Sequence, residues 1–250
     1  MGRGLFTLGL ILFFPAALAA QGPRGMFDGG RVYPFDAVRS ACIEFSGAKI
    51  GREAFEAREC AVSAFGEIGR VDGITYDYAI YCVIPNYAEP ARCGDESFTS
   101  QSHDRRGLAI FAREAGGARV VFEYVDREIG TVYIPDPPRL VSHAAGTLLD
   151  IPIGIDGSGH INDSQYYVRS NGLWEKLDGE TWLKDLGTRL PKDVQTWKGI
   201  WPDLKTMRAI VGLYRTDDAN CCPTGGQAEV QLGIRGRQFA IEAVTVTPEK

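Results

Sequence analysis

Residues 217–226 read DDANCCPTGG, and the adjacent Cys221 and Cys222 at their centre are the side chains of this chain best suited to chemistry. Thiols can ligate a metal, exchange electrons or form a disulfide, and each use demands a different neighbourhood. A zinc site spaces its ligands along the chain, because the side chains of consecutive residues diverge. Neither C-x-x-C nor H-x-x-x-H occurs among the six cysteines and the three histidines, His103, His143 and His160. A dithiol redox centre wants its cysteines at a helix N-terminus, where the dipole lowers a thiol pKa; here Asp217 and Asp218 raise it, and the surroundings read as a loop between strands. What is left is disulfide chemistry, either a bridge between the two neighbours or a bridge from each to a cysteine elsewhere. Asp217, Asp218 and Asn220 also make the loop a candidate binding surface.

A second stretch, IDGSGHINDSQ at residues 155–165, has the look of a calcium loop. Aligned on an EF-hand, it puts Gly154 where the first aspartate belongs and Gln165 where the bidentate glutamate belongs, so both anchoring carboxylates are missing. A looser calcium site from Asp156, Asn162 and Asp163 is the one cofactor option the sequence offers; no other metal or cofactor is expected. The competing reading is a Gly/Asn/Asp turn whose side chains bond their own backbone. Ser158 sits in Gly157-Ser158-Gly159 without the strand–elbow–helix pattern of a serine hydrolase. Acid and base carboxylates could hide among 32 acidic residues, but no spacing singles out a pair.

Cysteine chemistry depends on compartment. Residues 1–20 place Arg3 before an apolar run of roughly 16 residues, short of the roughly 20 that span a bilayer. Pro15 interrupts that run, and Ala17, Ala19 and Ala20 follow. This is the pattern of a secretory signal peptide cleaved near Ala19 or Ala20, with no cysteine placed for a lipid anchor. The expectation is a periplasmic or secreted protein with no membrane insertion after cleavage. An exported chain with an even cysteine count points to disulfides. Cys82 and Cys93 flank a short turn-rich segment and rank first as a pair, Cys42 and Cys60 second, which leaves Cys221 with Cys222. Formal net charge is −5, with no basic run, so a nucleic-acid partner is not expected.

The elements that would position these residues read as hairpins. Asp72-Gly73 and Asn171-Gly172 supply the positive φ angles of two-residue hairpin turns. Gly116-Gly117, Gly146 and Gly236 mark further reversals. After Asp72-Gly73, Tyr76, Tyr78, Ile80 and Cys82 fall on one strand face, and Thr75, Asp77, Ala79 and Tyr81 on the other. Residues 37–45 read as a short helix, and residues 52–65 as a helix through Glu59 that becomes a strand. Residues 21–38 read as a surface wrap. In residues 180–191, Trp182, Leu183, Leu186 and Leu190 form a helical stripe, with Asp178 able to cap its start and Pro191 ending it. The fold class is α+β, predominantly antiparallel β hairpins with a few short helices. Residues 21–145 and 146–250 are two β-rich regions, or one continuous domain.

The motifs DGSGHINDSQYY (156–167), LWEKLDGETW (173–182), Leu190-Pro191 and DDANCCPTGG resemble a group of exported bacterial proteins of uncharacterised function. The resemblance covers mainly the C-terminal half and implies no catalytic residues. Together these features point to a bacterial envelope protein that binds a ligand or another envelope protein without catalysis. The alternatives are an envelope hydrolase using carboxylates or a weakly bound metal, and a thiol/disulfide redox sensor. Trp174, Trp182, Trp197 and Trp201 are expected in the core rather than on a sugar-stacking platform.

Overall fold

The computed structural model describes residues 31–40, 57–85, 105–125, 133–155 and 161–249. The signal-peptide reading, Cys42, Cys93, Asp156 and the side chain of Cys60 lie outside the described residues, and with them the pairing of the first four cysteines. Cys82 is disulfide-bonded.

The architecture is mostly β. A five-stranded antiparallel sheet has the order β1-β5-β4-β3-β2, from β1 (Val32–Tyr33), β2 (Ala57–Val71), β3 (Ile74–Pro85), β4 (Arg105–Glu114) and β5 (Gly117–Val125). A four-stranded sheet has the order β12-β11-β8-β7, from β7 (Arg139–His143), β8 (Gly146–Ile151), β11 (Gln165–Ser170) and β12 (Leu173–Leu177). Two three-stranded sheets, β10-β9-β6 and β13-β14-β15, complete the set. They comprise β6 (Tyr133–Pro135), β9 (Ile153–Ile155) and β10 (Ile161–Asn162), then β13 (Arg208–Gly212), β14 (Gln227–Arg235) and β15 (Gln238–Thr247). The helices among the described residues are α1 (Phe35–Ser40) and α2 (Thr181–Arg189).

Turn chemistry explains the local order. Asp72 and Asn171 sit at φ 50°, and the glycines after them at 82° and 77°, the left-handed pair that a two-residue hairpin requires. Residues 143–146, where a boundary between two regions could fall, form the turn joining β7 to β8, whose strands pair from His143↔Gly146 to Arg139↔Asp150. Two expectations are corrected. Ala57 to Glu59 are strand rather than helix, because Ala57, Ala61 and Ala64, which mimic a helical stripe, are paired with β3 across bulges in the register. The surface wrap over residues 21–38 does not hold at its end: β1 pairs with β5, and α1 buries Val38 completely.

The four-stranded sheet is the middle layer. On one face, Leu149, Ile151, Tyr167 and Trp174 pack with Tyr76, Ile80, Ile110 and Phe122 of the five-stranded sheet. On the other, Leu148, Tyr166, Val168 and Leu177 pack with Trp182 and Leu186 of α2 and with Val211, Val230, Phe239 and Ile241 of the β13-β14-β15 sheet. A smaller core beneath α1 holds Ala79, Tyr81 and Phe111. The two faces read from β3 are thus divided between two cores. Trp174 and Trp182 are buried as expected, whereas Trp197 and Trp201 are exposed.

At the β7–β8 turn Gly146 has φ +127°, and an added Cβ would collide with the carbonyl oxygen of Arg169. Gly146→Ala is expected to cost about 2–3 kcal/mol, measured by denaturant unfolding; a change under about 0.5 kcal/mol would show that the middle sheet adjusts freely.

Candidate functional site

The site grows from the β11–β12 hairpin. Its turn fixes the register Ser170↔Leu173 through Tyr166↔Leu177 and leaves β12 at the edge of the middle sheet. Immediately after β12, the Asp178 carboxylate accepts hydrogen bonds from the Glu180 N–H at 2.8 Å, the Thr181 N–H at 2.9 Å and the Thr181 hydroxyl. The Thr181 hydroxyl bond, joined by the two backbone bonds, holds Asp178 below the usual carboxylate range. Two residues before the N-cap Glu180, which makes no side-chain cap bond of its own, Asp178 therefore organises the approach to α2. Its backbone ties down a second element: its N–H donates to the Arg237 carbonyl at 2.8 Å, and its own carbonyl accepts from the Phe239 N–H at 3.0 Å.

Where β12, α2 and the start of β15 meet, a cleft of about 730 Å³ runs along β12. Leu173, Leu177 and Leu183 supply apolar walls, and Glu175 and Arg237, which also line it, form an ion pair at 2.8 Å. Asn162, Ser164 and Tyr166 supply the neutral polar lining. The Asn162 side-chain amide donates to the Tyr166 hydroxyl at 3.2 Å and to the Ile200 carbonyl at 2.6 Å, and its oxygen accepts the Ser164 N–H at 2.8 Å. Burial pushes the Tyr166 hydroxyl above its ordinary pKa, and the Asn162 hydrogen bond opposes that shift. On β8, opposite Tyr166, Asp150 is buried and paired with Arg139. Burial pushes Asp150 up, and the Arg139 hydrogen bond and charge oppose that shift.

Against this geometry the residues singled out from sequence divide. Asn162 is in the cleft, and its side-chain oxygen accepts the Ser164 N–H of its own turn. Asp163 does not line the cleft; its N–H donates to the Ile153 carbonyl and its carbonyl accepts from Gln165. In the other loop the Asp218 carboxylate accepts the Arg215 N–H at 2.7 Å, the Thr224 N–H at 2.8 Å and the Thr224 hydroxyl at 2.6 Å. Those bonds, the Thr224 hydroxyl first, hold Asp218 below the usual range. Asp217 is exposed, and the Asn220 carbonyl accepts the Tyr214 hydroxyl at 3.2 Å. Cys221 and Cys222 are bridged to each other, and both are exposed. No residue of 217–226 lines the cleft. Among the described residues no group of three or more His, Cys, Asp or Glu side chains is placed to hold a metal ion, and no helix is long and apolar enough to cross a membrane.

No family model matches the chain, and no curated protein or solved structure matches it.

Sequence reasoning found the hairpin and Asp178 at the approach to α2 but not the cleft. Glu175 and Arg237 are 62 residues apart, and no local pattern announces their meeting. Asp178→Ala is expected to destabilise the protein by about 1 kcal/mol at neutral pH, the typical worth of a side chain that satisfies a helix start. Because the folded pKa is depressed, this contribution is complete above the ordinary aspartate value of 3.8 and is lost as pH falls through the folded value. Thermal melts of both proteins against pH should converge below that point; a constant gap would assign the effect to something other than the carboxylate.

Proposed function

We propose that the chain is an exported bacterial envelope protein, periplasmic or secreted, that binds a ligand or partner in the cleft along β12 without transforming it. The observation that carries this reading is the cleft itself. Its volume falls in the range of small-ligand sites, and it joins apolar walls to a few fixed polar groups. Two of the three carboxylates that line it favour binding over acid–base chemistry: Asp178 is held low by hydrogen bonds and Glu175 is committed to Arg237, which leaves Glu180 to meet a basic group on a ligand. A general acid or base would instead be poised near the working pH. The signal-like residues 1–20 and the resemblance of residues 156–226 to exported bacterial proteins support the envelope location.

A second reading, a thiol/disulfide role, is favoured by the exposure of both Cys221 and Cys222. It places function in the 217–226 loop instead of the cleft.

Amide chemical-shift mapping separates the two. Titration of the labelled protein with a panel of oligosaccharides, short peptides and small organic anions is expected to give saturable shifts at residues 173–180 and at Arg237. Shifts confined to residues 217–226, or none that saturate across the panel, would sink the cleft reading.

A further inference from the structure

Residues that flank a two-residue hairpin turn exchange backbone hydrogen bonds with each other, and along an antiparallel ladder such pairs alternate with pairs whose N–H and C=O point away. With Ser170 opposite Leu173, the backbones of Leu173, Glu175 and Leu177 face β11, and those of Trp174, Lys176 and Asp178 face the open edge. Asp178 bears this out, since its outward N–H and carbonyl are the groups bonded to Arg237 and Phe239. Trp174 and Lys176 present the same groups along the cleft with no strand beside them among the described residues. That is a ladder of two donors and two acceptors at a repeat of about 6.8 Å, and it is the signature a strand recognises.

We propose that this edge takes an extended peptide segment of another protein as a fifth strand, laid between the hairpin tip and Arg237. The inference rests on the cleft being the binding site and names what it binds. Leu173 to Asp178 spans about 17 Å, room for about five extended residues, and the strand must stop where β15 already occupies Asp178. Alternate side chains of the incoming strand lie against Leu173, Leu177 and Leu183, so they are apolar. The Glu180 carboxylate at the same end of the cleft has no ion-pair or hydrogen-bond partner among the described residues, and it fits a basic residue at one end of the segment. Self-pairing is disfavoured: two copies joined through β12 would bring two Lys176 side chains onto one short ladder, a device that guards edges against association.

The experiment uses the full secreted chain and a fluorescein-labelled octapeptide of alternating leucine and threonine with lysine at each end, read by anisotropy. Lys176→Pro removes an outward N–H that the sheet does not use, a position where an edge strand tolerates proline. It is expected to weaken binding about tenfold, whereas Lys176→Ala stays within about twofold. Peptides N-methylated on alternate residues should lose binding in one register and keep it in the register shifted by one. Glu180→Lys, which leaves the strand intact, should weaken binding at low salt, and it keeps the test open if the proline variant does not fold.

Equal effects of proline and alanine, or equal binding in both methylation registers, would overturn strand addition. So would a dimer in analytical ultracentrifugation that disappears in Lys176→Pro, since the occupant would then be a second copy. If the peptide fails while small molecules still shift the cleft amides, the peptide inference falls and the cleft reading stands; if nothing shifts them, both fall.

Discussion

The constraint on which the structure depends is that its middle sheet is apolar on both faces. Along β11 the side chains alternate between two cores, with Tyr166 and Val168 in one and Tyr167 in the other. Such a sheet cannot stand against water on either side and must be covered twice. The five-stranded sheet covers one face, where Phe122 meets Tyr167 edge-on at 6.1 Å and Tyr76 meets Trp174 at 5.8 Å. Helix α2 and the β13-β14-β15 sheet cover the other, where Tyr166 packs on Phe239 at 5.0 Å. A slip of one residue in β11 would exchange the two sets of side chains, so the Asn171-Gly172 turn that sets its register carries weight out of proportion to its length.

The same layering creates the cleft and decides where charge can be buried. A sheet covered on both faces still ends at an edge, and the cleft opens there between β12, α2 and the residue that leads into β15. Acidic groups inside the layers are tolerated by pairing. Asp77 is buried and receives both arms of Arg113, at 3.0 and 2.6 Å, while the guanidinium lies 5.0 Å from the ring of Phe35. A buried carboxylate needs this degree of satisfaction, since leaving its charge unpaired costs more than the pair itself contributes. Asp150 with Arg139 repeats the solution in the middle sheet.

What the sequence made legible was local. Asp72-Gly73, Asn171-Gly172 and Gly236 mark turns because few residues accept their backbone angles. The stripe of Trp182, Leu186 and Leu190 marks α2 because burial follows the helical period. Ala57 to Glu59 misled because alanine fits a helix well and a strand acceptably, and pairing with β3 decides between them. Sheet order was not legible. That β1 joins β5, or that β15 meets Asp178, follows from the packing of distant segments, and so does the status of β12 as an edge. The candidate site therefore fell largely outside the loops that composition had drawn attention to, sharing only Asn162, Ser164 and Gln165 with the 155–165 stretch.

The bridge between Cys221 and Cys222 joins neighbours, at a sequence separation of 1. A crosslink stabilises a fold mainly by shrinking the freedom of the unfolded chain, and that effect grows with the loop it closes. A ring between adjacent residues closes almost none. Its thermodynamic reach is therefore short and centred on the loop clasped by Asp218, where it stiffens two consecutive residues rather than tying distant parts of the fold together.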